Sequence, residues 1–150
     1  PASPAAAAAA SAFALKRLKQ ASPDFRYNYE ATRSTVRSLT AAPMSPEWTE
    51  RAVVISMMMP RVAREGMFMR SLDARDLLPA LKGTPFLINV GAKDTSTPEA
   101  AGRELAKQLA DATVSVYPEA GHSPFVESTE RFNRELDAFA TRVFAAGAAR

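Results

Sequence analysis

The most regular pattern of apolar and polar positions lies in the second half of the chain, after residue 70. Phe86–Val90 is a short apolar run bounded by a proline and a glycine, which predicts a buried strand. Thr113–Tyr117 alternates, with Val114 and Val116 on one side, and predicts a second strand. No other segment of the chain predicts a strand.

Helical patterns flank both strands. Asp76–Leu81 is expected to be helical and to stop at Gly83, since glycine commonly ends a helix. Thr97–Glu99 opens a second helix, and a third follows the second strand. Their apolar faces are formed by Ala101, Leu105 and Leu109 in the second helix and by Phe132, Leu136, Phe139 and Val143 in the third. This order predicts an α/β fold with parallel strands and right-handed crossovers.

Two parallel strands are too few for a complete sheet. A two-stranded parallel sheet leaves both edges unpaired and cannot cover the apolar faces of several helices. The pattern therefore predicts the end of a larger sheet whose other strands lie elsewhere.

Residues 23–70 predict short helices separated by prolines. Ser45–Glu47 is a helix start, because it supplies a hydroxyl N-cap, a proline at the first helical position and an acid in the first turn. The helix is expected to place Trp48, Ala52 and Ile55 along one face. Methionine and phenylalanine follow at positions 57–59 and 67–69, where they can pack a core or line an adaptable apolar pocket.

Residues 1–22 form a low-complexity, alanine-rich tail or linker. Ala5–Gln20 has strong helix propensity. The run Ala5–Ala10 lacks a preceding basic region and is a poor signal peptide. The chain begins at Pro1 without methionine, so a processed, tagged, cleaved or partial polypeptide is expected. The sequence thus predicts three segments, namely 1–22, the helical residues 23–70, and the α/β residues 71–150.

Composition excludes several function classes. With 47% hydrophobic and 23% charged residues the composition is that of a globular protein. A net charge of +3 is too small to indicate a nucleic-acid partner, and none is expected. The lack of cysteine and the single histidine predict no metal site, and the lack of a glycine-rich phosphate loop predicts no cofactor. No apolar run reaches the roughly 18 residues of a membrane span. A soluble protein is expected, and the cytoplasm is slightly favoured although the sequence does not define the compartment.

Two polar residues lie in the loops just past the predicted strands. Asp94 comes after the first strand, and His122 comes after the second. Because ligands bind at the carboxyl ends of parallel strands, both side chains are expected at one edge, where a carboxylate can orient an imidazole. Alone, an aspartate after a strand is usually a turn residue and a lone histidine is more often structural. The pair is more specific than either residue.

The segments around this pair resemble the α/β-hydrolase family. Asp76–Asp94, DLLPALKGTPFLINVGAKD, is similar to the family segment that runs through the penultimate core strand to the triad acid. Tyr117–Glu127, YPEAGHSPFVE, is similar to the segment that carries the triad histidine. Phe132-Asn133 and the following helix resemble the last helix of that fold, and the acid precedes the histidine as in the family.

The resemblance implies a fold and two catalytic roles. Residues 71–150 would be the C-terminal part of an α/β-hydrolase core, with its last two parallel strands and flanking helices, preceded by a helical lid at 23–70. Asp94 would orient His122, which would act as general base and then acid. Glu119 and Glu127 lie near His122 and are rivals for the acid role, but neither follows a strand end in the expected place. Glu127 is expected to brace the loop or the last helix.

The family's nucleophile motif, Gly-x-Ser-x-Gly, is absent. None of the six glycines flank a serine at that spacing, and no oxyanion-hole glycine motif is present. The expected partner is therefore the missing N-terminal half, in a second chain or an adjoining segment, which would carry the nucleophile. This chain alone is expected to be incomplete and inactive.

The resemblance implies a hydrolase that cleaves a carboxylic ester, or less often an amide, of a small apolar substrate by a Ser-His-Asp triad. An aspartate nucleophile, as in dehalogenases and epoxide hydrolases, is an alternative within the same fold, as is acyl transfer to an alcohol. A non-catalytic, ligand-binding member of the fold is a further alternative. A helical interaction fragment remains only if both matching segments arose by chance.

Overall fold

The computed structural model describes residues 15, 17–69, 73 and 75–148. Most of segment 1–22, and with it most of the helix expected over Ala5–Gln20, lies outside the described residues. Two compact units divide the rest. The first contains the described residues of Pro1–Arg37 and Met44–Leu72, and the second contains those of Ser38–Pro43 and Asp73–Arg150.

The first unit contains helices α1 (Phe25–Arg37), α2 (Pro46–Met57) and α3 (Arg61–Met69). The helix start predicted at Ser45 is confirmed, since its hydroxyl accepts a hydrogen bond of 3.1 Å from the Trp48 N–H. The bond satisfies one of the N–H groups that the first helical turn leaves without a partner.

The buried face of α2 differs from the expected one. Thr49 and Val53 are buried, Trp48 and Ala52 are half-buried, and Ile55 is 59% exposed, so the face marked by Trp48, Ala52 and Ile55 is not the most buried one. Apolar residues occupy consecutive positions in this helix, and their periodicity does not select one face. Packing against α1 makes the selection.

The first helix of the second unit is a 3₁₀ helix (Arg75–Leu81), which confirms the helix expected over Asp76–Leu81. The unit continues with β1 (Pro85–Gly91), α4 (Glu99–Lys107), β2 (Asp111–Tyr117), α5 (Pro124–Glu127) and α6 (Thr129–Ala148). Gly83 has a φ of 87°, a conformation that glycine adopts without strain.

The two strands pair in parallel, from Pro85 opposite Asp111 to Gly91 opposite Tyr117. This confirms the predicted α/β class and its two parallel strands. The predicted second strand started at Thr113, two residues after the observed start at Asp111. Asp111 and Ala112 do not continue the apolar alternation, and they belong to the strand because they pair with β1.

Helix α4 packs on one face of this sheet through a glycine. A Cβ on Gly102 would lie 2.6 Å from Val90 Cγ1, so the helix approaches the strand closely. Gly102 and Leu109 are buried, whereas Leu105 is 39% exposed and Ala101 is exposed. The prediction that Ala101 and Leu105 lie on the buried face of this helix was wrong, because Gly102, which has no side chain, makes the contact with the strand.

Helix α6 packs on the opposite face through a polar network. Glu135 accepts hydrogen bonds from Ser115 Oγ at 2.6 Å and from the Tyr117 hydroxyl at 2.7 Å. Arg131 donates to the second oxygen of Glu135 at 2.7 Å. Burial alone raises the pKa of Glu135, but these three hydrogen bonds outweigh it and hold the pKa below its ordinary value. The ionised carboxylate of Glu135 thus binds α6 to the end of β2 through hydrogen bonds.

Within the described part of the chain, no helix is long and apolar enough to cross a lipid bilayer.

Candidate active site

The ends of both strands lead into turns that are bonded to each other. The Ala92 N–H donates to the Tyr117 carbonyl at 2.9 Å, and the Lys93 N–H donates to the Ala120 carbonyl at 3.0 Å. These bonds continue the pairing beyond the sheet. The residues that follow, Asp94 and His122, are therefore held at one edge.

Asp94 uses its two oxygens for different purposes. Oδ1 accepts hydrogen bonds from the backbone N–H groups of Ser96 at 2.7 Å and Thr97 at 3.0 Å. Oδ2 lies 2.8 Å from His122 Nδ1. Asp94 is thus both the turn residue that its position suggests and a hydrogen-bond partner of the histidine.

The environment of Asp94 favours its ionised form. Partial burial by itself raises the pKa of this carboxyl, but the hydrogen bonds from Thr97, His122 and Ser96 outweigh burial and lower the pKa below its ordinary value. A carboxylate only accepts hydrogen bonds, so at neutral pH His122 donates its Nδ1–H to Oδ2. This fixes the tautomer of neutral His122, whose Nε2 carries the lone pair.

The two side chains differ in access to solvent. The Asp94 side chain is 7% exposed, whereas that of His122 is 42% exposed. The carboxylate is therefore shielded from solvent, whereas the imidazole is accessible to an incoming group. With Nδ1 engaged, Nε2 is the nitrogen available to take and return a proton.

The two rival carboxylates have other partners. Glu119 forms an exposed ion pair with Lys93. Glu127 binds the backbone N–H of Gly121 at 2.7 Å, which confirms that it braces the loop. Of these three carboxylates, Asp94 is the one bonded to the imidazole.

Sequence reasoning missed the segment Ser38–Pro43. It lies between α1 and α2 in the chain, yet it belongs to the second unit. It contacts the loop 118–123 between β2 and α5, which carries His122 and is called the histidine loop below. The Ala41 and Ala42 N–H groups donate to Glu127 at 2.7 and 3.2 Å. No local sequence pattern predicts this contact, because the partners are about 85 residues apart in sequence.

No group of three or more histidine, cysteine, aspartate or glutamate side chains among the described residues could hold a metal ion.

Several solved proteins have a fold similar to that of this chain. No family model matches the chain. Over 82% of its length it resembles an esterase from Rhodococcus, with a TM-score of 0.73 and 24% identity. It also resembles a thermophilic esterase from Thermogutta terrifontis over 95% of its length, with a TM-score of 0.68 and 25% identity. A solved α/β fold family hydrolase from Bacillus anthracis is similar over 87% of the chain, with a TM-score of 0.58.

The chain is a C-terminal portion of the α/β-hydrolase fold. It covers 45%, 52% and 48% of these three solved chains respectively, so it spans about half of each relative. Among curated proteins, a pimeloyl-[acyl-carrier protein] methyl ester esterase from Chromobacterium violaceum is 41% identical over 64 residues. That match covers 43% of this chain and 25% of the relative. Both the resemblance to the α/β-hydrolase fold and the predicted fold class are confirmed.

Proposed function

We propose that this chain is part of an α/β-hydrolase that cleaves a carboxylic ester, or less often an amide, by a Ser-His-Asp triad. Asp94 is the acid and His122 the histidine of that triad. The observation that carries the proposal is the 2.8 Å hydrogen bond between His122 Nδ1 and Asp94 Oδ2, at the carboxyl ends of two parallel strands. The esterases among its relatives support the same reaction class.

In the proposed mechanism Asp94 holds the Nδ1–H and stabilises the imidazolium that forms during the reaction. Nε2 removes the proton from a serine hydroxyl as its oxygen attacks the ester carbonyl. The proton then passes to the departing alcohol, leaving an acyl-serine. In the second half Nε2 deprotonates a water molecule as its oxygen attacks the acyl carbon. The bond from that carbon to the serine oxygen then breaks, Nε2 returns the proton to the serine, and the carboxylic acid is released.

The serine and the oxyanion-hole donors are proposed to lie outside these 150 residues, in a longer polypeptide or a second chain. The absence of Gly-x-Ser-x-Gly and the coverage of half of each solved relative support this proposal. Residues 1–150 expressed alone are expected to be inactive and poorly folded. A stable monomer that melts cooperatively would contradict this expectation.

Residues 23–70 are proposed to form the helical lid. Within the first unit, α1 and α2 border a groove of about 650 Å³. Phe25, Tyr29, Val54, Met57 and Met58 contribute to its lining. Aromatic and methionine side chains suit a small apolar ester, because methionine adapts its shape to irregular apolar groups.

A serine-directed fluorophosphonate tests the reaction class on the complete protein. The expected result is covalent labelling of one serine outside residues 1–150, together with loss of ester hydrolysis. Labelling should become much slower in the variant His122→Ala, because the serine then lacks its base. If esters are cleaved but no serine reacts, the triad assignment is wrong, and an aspartate nucleophile is tested next by trapping a covalent ester. If a ligand binds without turnover, the protein is a binding member of the fold.

A further inference from the structure

The Glu127 carboxylate joins two segments of the second unit. Its Oε2 accepts the Gly121 N–H at 2.7 Å. Its Oε1 accepts the Ala41 N–H at 2.7 Å and the Ala42 N–H at 3.2 Å. Three backbone donors thus converge on one side chain, and hydrogen bonds to an ionised acceptor are the stronger kind.

The segments that Glu127 joins are packed backbone against backbone. A Cβ on Gly121 would lie 2.7 Å from the Ala41 nitrogen and 3.0 Å from the Thr40 carbonyl carbon. A Cβ on Gly91 would lie 1.9 Å from the Gly121 carbonyl oxygen. The end of β1, the histidine loop and the segment Ser38–Pro43 therefore form three layers, and two glycines make the approach possible.

The bonded peptide of this loop joins Ala120 and Gly121, one residue before His122. Glu127 accepts a hydrogen bond from its N–H on Gly121, and the Lys93 N–H donates to its carbonyl oxygen on Ala120. The backbone that carries the imidazole is thus held from two sides. A small rotation of this peptide would move Nδ1 away from Asp94, since the 2.8 Å contact leaves little tolerance.

We propose that Glu127 is a positioning residue for His122, which keeps the imidazole in register with Asp94 by bonding its loop to Ser38–Pro43. This rests on the proposed function, in which His122 transfers the proton. Glu127 acts through the loop backbone and does not take part in proton transfer. Its role differs from that of Asp94, which contacts the ring itself.

The test compares Glu127→Gln with Glu119→Gln in the complete protein. Both changes remove one negative charge near the histidine loop, but Glu119 is 84% exposed at its side chain and pairs only across the surface with Lys93. Glutamine at position 127 keeps the shape of glutamate but turns one oxygen into an NH₂ group, which would face a backbone N–H. We expect kcat of Glu127→Gln to fall roughly 10-fold to 100-fold with KM nearly unchanged, as for a slightly misplaced catalytic group. Glu119→Gln should stay within about twofold of the wild type, as expected for an exposed ion pair.

A second readout does not depend on activity. The Nδ1–H proton of His122, identified by its loss in His122→Gln, is observed by NMR together with its exchange with water. In Glu127→Gln this signal should shift and exchange faster, while circular dichroism shows the variant folded at the assay temperature. If Glu127→Gln does not fold, Glu127→Asp is measured instead, and its shorter side chain should give the same changes.

Two results would overturn the positioning role. One is a kcat for Glu127→Gln within twofold of Glu119→Gln. The other is an unchanged Nδ1–H signal in the folded variant. If the wild-type protein hydrolyses no ester, the proposed function fails, and the NMR comparison alone still decides whether Glu127 positions the imidazole.

Discussion

The loop after β1 and the loop after β2 each supply one member of the acid–histidine pair, but they are held in different ways. Asp94 organises its own turn, since its Oδ1 binds the N–H groups of residues two and three positions later. The loop of His122 depends on distant groups. Glu127 binds its backbone, and Gly91 and the segment Ser38–Pro43 pack against it.

The position of Asp94 is thus set by neighbouring residues in the sequence, whereas the position of His122 is set by tertiary contacts. A turn closed by an aspartate forms from a few consecutive residues and tolerates changes elsewhere. A loop held by three chain segments requires all of them to be folded. The acid is therefore the robust member of the pair, and the histidine is the member whose placement other parts of the protein control.

The largest expected effect is on turnover by the complete protein. His122→Ala removes the base and should lower kcat on the order of 10⁴-fold or more, whereas Asp94→Ala should lower kcat by a smaller factor, because the base remains. Ser96→Ala is the control, since it keeps the N–H that binds Asp94. Steady-state kinetics with an activated ester checks the order. Equal activity of His122→Ala and the wild type would remove His122 from the mechanism.

The next largest effect is on stability, through the close backbone contacts of the histidine loop. Gly91→Ala should lower the free energy of unfolding by about 3 kcal/mol, because its Cβ would overlap a carbonyl oxygen of the neighbouring loop. Gly66→Ala, which meets nothing within 4 Å inside α3, should instead stabilise by about 0.5–1 kcal/mol. Urea unfolding of the complete protein measures both. An unchanged free energy of unfolding in Gly91→Ala would show that the backbone segments are packed too loosely for the added methyl group to clash.

A smaller loss is expected where β2 enters the histidine loop. Tyr117→Phe removes the hydroxyl that donates to Glu135 and should cost about 1 kcal/mol of unfolding free energy. Tyr27→Phe serves as the control, because Tyr27 is 49% exposed and its change should stay within about 0.5 kcal/mol. Thermal or urea unfolding distinguishes them. Similar values for both variants would mean that Glu135 does not anchor the strand end.

The smallest effect concerns the pH dependence of the Asp94 turn. Its pKa is lowered by folding, so its contribution to stability is complete above the ordinary value of 3.8 and is lost as pH falls through the folded pKa. The stability advantage of the wild type over Asp94→Asn should therefore shrink as pH drops below about 4. Unfolding curves collected between neutral and acid pH measure this difference. An advantage that grows on acidification would contradict the assigned direction.

Local patterns carried the prediction of the second unit further than that of the first. Both strands, the helix order and the Asp94–His122 pair follow from short apolar runs and from the residues directly after them. The buried faces of α2 and α4 were not predictable in the same way. In α2 several neighbouring positions are apolar, and in α4 the contact is made by Gly102, which no hydrophobicity pattern marks as buried.

The sequence by itself determined the two strands, their parallel order, and the placement of an acid and a histidine after successive strands, because each depends on residues that are close along the chain. Tertiary structure decided which helix faces are buried and what holds the histidine loop. Glu127, Gly121 and Ala41 meet only when distant segments fold together, and no local pattern encodes a contact between residues so far apart. The 2.8 Å distance between the acid and the histidine combines both kinds of control.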